Sequence, residues 1–175
     1  MGKYDLVIFK CQEVENYLDT LTEQIKKEKG KQAYLLLDYP VVYLHVWRDK
    51  NDIFNGTYHI YVGEADNAVR RQGEHWAAAK DPKHKKNWQH KMANAKDVNG
   101  NPVIPTLYII GNELFQKSMT LDIENRLINY FLAMPSTVLV NGRFNPQRKY
   151  FNDQETLPIF GRLWRELKKT IPTFS

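Results

Sequence analysis

The sequence predicts an α+β fold, a small three-stranded, mainly antiparallel sheet flanked by helices, with extra helices at the N- and C-terminal ends. Three short runs, "VVYLHVW", "TYHIYVG" and "VIPTLYIIG", are rich in β-branched and aromatic residues and bounded by Gly, Pro or polar residues, as strands are. Around them, apolar residues recur at three- and four-residue steps, the period of an amphipathic helix. No internal repeat or low-complexity linker interrupts the 175 residues, about the size of one domain.

Residues 12–29 read as a helix, because Val14, Tyr17, Leu18, Leu21 and Ile25 share a stripe and Gly30 follows a lysine-rich last turn. From Ala33 to Trp47 the pattern turns β-branched and aromatic, with Pro40 marking where a strand begins. "RDKNDIFNG" reads as a connection and residues 57–63 as a second strand, which makes a hairpin with a long loop. Helical character returns from Asp66 or Asn67 to Ala79, then weakens over residues 80–102 to one short piece at Lys85–Ala95. The third strand ends at Gly111, and a strongly amphipathic helix follows from Gln116 to Leu132, stopped by Pro135. "STVLVNGRFN" is a short extended segment with a turn, and Leu157–Lys169 is a last helix with Ile159, Phe160, Leu163, Trp164 and Leu167 on one side. The expected organisation is one domain: a core at 40–145, an N-terminal helical extension at 1–39 and a C-terminal helix at 146–175.

Composition excludes several classes. With 42% hydrophobic and 13% aromatic residues, the chain is folded rather than disordered. A net charge of +5 and a pI near 9.2 favour an anionic partner, nucleic acid ahead of a membrane surface. The single cysteine, Cys11, excludes an internal disulfide and a cysteine-based zinc site, and the five histidines form no recognised zinc spacing. No segment approaches the roughly 20 apolar residues of a membrane span, so a cytoplasmic protein without membrane contact is the expectation.

Side chains alternate along a strand, so Tyr43, His45 and Trp47 share one face of the first hairpin strand and His59 and Tyr61 share one face of the second, and the two tyrosines can meet across the hairpin. Such pairs are also ordinary sheet stabilisers. Gly63 removes a side chain where the second strand passes into the helix, which lets backbone or ligand approach closely. On that helix Asn67, Arg71 and His75 follow at four-residue steps on one side, with Val69, Gln72 and Trp76 on the neighbouring, core-facing side. In "SMTLDIENRLINYFL" the apolar stripe is Leu121, Leu127, Ile128 and Phe131, and Glu124 falls in its middle, where a carboxylate needs an ion pair, hydrogen bonds or a cation. A structural salt bridge and a metal-ligand role are equally open for Glu124, while Asp122 and Asn125 fall off the stripe and are expected toward solvent. Lys80, Lys83, Lys85, Lys86 and Lys91, with Trp88 among them, form the densest basic stretch, either a phosphate contact with a stacking surface or a solvated loop.

Taken together these residues resemble the GIY-YIG nuclease superfamily. "VVYLHV" stands where that family has its first motif, with Tyr43 as the motif tyrosine and valines in place of the usual glycine and isoleucine; "YVG" at Tyr61–Gly63 matches the second. The family arginine lies eight residues after that glycine, at Arg71 rather than Arg70, and the histidine four later is His75. The glutamate of the next long helix is Glu124, and an asparagine with a structural role on the backbone is expected at Asn141, with Asn145 as alternate. More narrowly, the second half resembles the GIY-YIG domain found at the N-terminus of larger bacterial helicase-like ATPases of the DUF2075 type, although no P-loop is present in this sequence.

The resemblance implies a metal-dependent endonuclease that hydrolyses phosphodiester bonds, with DNA ahead of RNA as substrate and Mg²⁺ or Mn²⁺ as cofactor. Glu124 would anchor the metal, Arg71 would stabilise charge on the phosphoryl group, Tyr43 would activate water, Tyr61 would position water or phosphate, and His75 would share proton transfer. A tyrosine is a poor base, so the metal and Arg71 would have to lower the pKa of Tyr43. The alternative is a catalytically silent nucleic-acid-binding module that places a fused or partner helicase-like ATPase on DNA.

Overall fold

The computed structural model describes residues 6–141 and 153–171. Its frame is a five-stranded mixed sheet of β1 (Leu6–Gln12), β2 (Val41–Trp47), β3 (Tyr58–Ala65), β4 (Thr106–Asn112) and β5 (Thr137–Leu139), in the order β1-β4-β2-β3-β5. Every neighbouring pair is antiparallel except β3 and β5, which run parallel. The α+β class holds, but the expectation of three strands is corrected to five. The three runs read from the sequence form the centre, β4-β2-β3, and two more strands flank them.

Each missed strand has a physical reason. β1 buries Val7 and Phe9 on one face while Leu6 and Ile8 pack on the other, so it shows no clean alternation of apolar and polar residues. β5 has only three residues, too few to show a period. The N-terminal extension is therefore not wholly helical. It contributes β1 to the sheet, a 3₁₀ turn at Tyr17–Asp19, α1 (Leu21–Lys29) and the single helical turn α2 (Tyr34–Leu37). The hairpin connection also holds a short helix, α3 (Lys50–Asn55), started by a capping box in which the Asp49 and Asp52 carboxylates accept each other's backbone N–H. α4 (Ala68–Lys80) starts where Asn67 accepts the Arg70 N–H, and α5 (Trp88–Ala93) lies in the basic stretch. α6 (Lys117–Ala133) and α7 (Asp153–Thr170) complete the order. No described helix is long and apolar enough to cross a membrane.

The sheet is covered on both faces, and all seven residues of the central strand β2 are buried in consequence. On one face Val42, Leu44, Ile60 and Val62 pack with Ile123, Leu127 and Phe131 of α6 and with Ile159, Leu163 and Leu167 of α7. On the other, Tyr43, Phe9 and Ile109 pack with Leu21 and Ile25 of α1 and Leu36 of α2. Because both the sheet and α7 lie against α6, its buried band is wider than one apolar stripe. This corrects the sequence expectation: Asp122 and Asn125 are buried, and Asp122 pairs with Arg126 at 3.2 Å, while Glu124 is half-buried at the rim of the band.

Tyr43 and Gly63 are direct register partners in the β2–β3 ladder. A Cβ added at Gly63 would overlap the ring and hydroxyl oxygen of Tyr43, so the glycine is required for the tyrosine to lie across the strand. Gly63→Ala is expected to destabilise the chain by about 1–3 kcal/mol in chemical denaturation. Adding Tyr43→Leu to that variant should recover part of the loss, whereas simply additive costs would show that the two positions do not conflict.

Candidate functional site

The β2–β3 ladder sets Tyr43, His45 and Trp47 opposite Gly63, Tyr61 and His59 on one sheet face. His75 reaches this face from α4 and Trp88 from α5. The Tyr43 hydroxyl lies 2.6 Å from His75 Nε2, and Gln89 Nε2 lies 3.2 Å from His75 Nδ1. Trp88 stacks on Tyr61 with ring centres 4.0 Å apart and planes 15° from parallel. Arg71, half-exposed on the same side of α4, donates to Glu74 Oε2 at 2.8 Å, and its charge bears on the hydroxyls of Tyr43 and Tyr61. Arg70 is exposed and meets only the rim of Glu74, at 3.7 Å. Of the two arginines, Arg71 is the one whose charge acts on the tyrosines.

Burial sets the protonation states here. It pushes the Tyr43 hydroxyl well above the usual tyrosine range, Tyr61 adds to the effect, and Arg71 only partly offsets it. Tyr61 is raised in the same way by burial, with Arg71 opposing and the Glu124 charge adding. Arg71 alone therefore does not bring the pKa of Tyr43 below that of an ordinary tyrosine, because desolvation outweighs it. Burial, with His45 and Arg71 nearby, also pushes His75 down from 6.5 to about 3, so its ring is neutral at physiological pH.

Glu124 comes from α6, which packs on the opposite sheet face, yet its charge is felt at both Tyr61 and Lys117. Beyond Ile60, among the described residues, β5 no longer pairs with the outer edge of β3. Asn141 takes over there: its Nδ2 donates to the Val62 carbonyl at 2.7 Å and its Oδ1 accepts the Val62 N–H at 3.0 Å. The alternate, Asn145, lies outside the described residues. One half-buried carboxylate whose charge reaches a tyrosine hydroxyl fits a hard divalent cation that keeps most of its shell in water and phosphate oxygens, as Mg²⁺ does. Asp49, Asp52 and His59 also cluster, with potential ligand atoms within 4.8 Å of one another, but their contacts are those of the α3 cap: Asp49 Oδ1 accepts backbone N–H groups, and Asp52 meets Thr57 and His59.

Several site residues escaped the sequence reading. Glu13, at the end of β1, is buried, and its Oε1 accepts Tyr17 Oη–H at 3.1 Å and Trp76 Nε1–H at 3.2 Å. His45 Nδ1 stands 2.8 Å from the same oxygen, off the line of a straight hydrogen bond. Only register across the sheet brings Glu13 to His45, so no local signal marks it. The basic stretch divides in the structure. Lys86, Trp88 and Lys91 line a cleft of about 720 Å³ together with Lys50 and Lys96, neither of which stood out in the sequence. Lys83 and Lys85 are exposed outside that cleft, and Lys80 lines a separate hollow with Trp76 and Tyr17. Comparison with protein-family models, with curated proteins and with solved structures finds no match to this chain.

His75 gives the site a pH signature. An ordinary histidine with pKa 6.5 in the unfolded chain binds a proton that the folded ring, at about 3, refuses. Its contribution to stability is complete above about pH 6.5 and is lost as pH falls toward 3. Unfolding free energy measured across this range should fall on acidification, and His75→Gln should flatten the fall. An unchanged slope in that variant would refute the assignment.

Proposed function

We propose that the chain is a metal-dependent endonuclease that hydrolyses phosphodiester bonds in nucleic acid, with DNA ahead of RNA. The observation that supports this reading is that Tyr43, Tyr61, Arg71 and His75, from β2, β3 and α4, meet on one sheet face, with the charge of Glu124 on α6 reaching Tyr61. A flexible cationic helix face would not need two buried hydroxyls beside its arginine, and an aromatic core would not need the arginine.

Arg71 offers a fixed guanidinium to the phosphoryl oxygens, where negative charge grows during in-line attack. Glu124 would hold Mg²⁺ or Mn²⁺, which when bound polarises the phosphate and stabilises the leaving oxygen. Tyr61, half-buried and nearer solvent than the fully buried Tyr43, is the hydroxyl that orients water or phosphate. Tyr43 stays protonated and serves as a link, since its hydroxyl neighbours that of Tyr61 and also meets His75 Nε2 at 2.6 Å. Gln89 Nε2 can only donate to Nδ1, so the neutral His75 ring carries its proton on Nε2, donates it to the Tyr43 hydroxyl and leaves that hydroxyl to donate toward Tyr61.

A second reading, a catalytically silent module that places a helicase-like ATPase on DNA, is favoured by one observation: Trp88 covers Tyr61 by stacking on it. Incubation with supercoiled plasmid, single-stranded and branched DNA, with and without Mg²⁺, decides between them. The nuclease reading expects Mg²⁺-dependent cleavage by the wild type and a loss of about 100-fold or more in Arg71→Ala and Glu124→Ala, with circular dichroism unchanged. Salt-sensitive binding without metal-dependent cleavage in any of the three proteins would establish the silent module instead.

A further inference from the structure

We infer that the cleft beside Trp88 is a subsite for an unpaired nucleotide next to the scissile phosphate, so that the substrate is a strand with an unstacked base rather than continuous duplex. This rests on the proposed reading of the chain as a nucleic-acid enzyme, and it names the class of nucleic acid.

The cleft holds about 720 Å³, within the size range of small-ligand sites and ample for one base with its sugar and phosphate. Its charge is one-sided. Lys50, Lys86, Lys91 and Lys96 line it, against the single carboxylate of Asp49, which is already engaged in capping α3. An anionic ligand is therefore the complement. Its aromatic walls share one orientation: Trp88 lies 15° from the plane of Tyr61 and 23° from that of Trp47, and Trp47 lies 22° from His59. A flat ring entering parallel to these planes extends an existing stack, the contact by which single-stranded nucleic acid is held without regard to sequence. Asn51 and Asn94 line the same space and can meet base edges with both donor and acceptor.

The position relative to the candidate catalytic residues links binding to cutting. Trp88 forms the boundary: it lines the cleft and touches Tyr61 and His75, the latter with ring centres 4.9 Å apart. A base stacked in the cleft places the adjoining backbone beside Tyr61 and Arg71. Duplex cannot use this space unless a base leaves the stack, which costs unpairing energy and favours single strands, flaps and mismatches.

The test separates binding from cleavage. In the presence of EDTA, wild-type protein is titrated with a fluorescent oligothymidylate and with a blunt duplex of equal length, reading anisotropy and tryptophan quenching. The single strand should bind at least about 10-fold more tightly than the duplex, and Trp88→Ala should weaken single-strand binding about 10-fold, with Trp88→Phe close to wild type. Replacing Lys86 and Lys91 together by Ala should reduce the slope of log K against log salt by about 1.4. Equal affinity for duplex, or undiminished single-strand binding in a folded Trp88→Ala protein, overturns the subsite. Cleavage is scored separately on wild type with Mg²⁺. Preferential single-strand binding without cleavage would keep the subsite and remove the nuclease, whereas cleavage of continuous duplex with no single-strand preference would do the reverse.

Discussion

The contact between the Tyr43 ring and the bare backbone of Gly63 fixes more of this molecule than any other single interaction. It lets a large side chain lie flat across the neighbouring strand inside a sheet covered on both faces, and so brings the Tyr43 hydroxyl to His75 on the helix that follows. The register of β2 against β3 then has no freedom, because a slip of one residue would turn Tyr43, His45 and Trp47 to the opposite face. That same register pairs His45 with Tyr61 and Trp47 with His59, so the aromatic wall follows from one steric fit.

The candidate site is governed by desolvation more than by charge. Arg71 is a cation that acts on both tyrosines, yet burial outweighs it and keeps both hydroxyls protonated. Burial also leaves His75 as a neutral ring beside a permanent cation at physiological pH. A buried phosphodiester would alter this balance at once, since it would bring negative charge into a region of low dielectric where charge acts strongly.

The hairpin and its following helix were legible because they are contiguous in the sequence: strand alternation placed Tyr43 and Tyr61, and helical period placed Arg71 and His75 on one side. Residues that join the site from elsewhere were not. Glu13 reaches His45 through a strand whose two apolar faces hide its period, and Lys50 and Lys96 reach the cleft from a short helix and an isolated β-bridge. Glu124 shows how far periodicity goes. The sequence located the helix to within a residue, but the rotation of the helix depends on which neighbours cover it, and α7 beside the sheet moved the buried band toward Asp122 and Arg126. The short strand β5 and the turn α2 were likewise set by tertiary pairing rather than by local pattern.

Asn141 has a consequence of its own. An edge strand with free N–H and C=O groups is a template on which another chain can add by edge-to-edge pairing. Asn141 occupies both groups of Val62 with one planar amide, which imitates a peptide unit at the position where β5 has already run out. A side chain here does the work of a strand residue. It denies the ladder its next rung to a foreign strand.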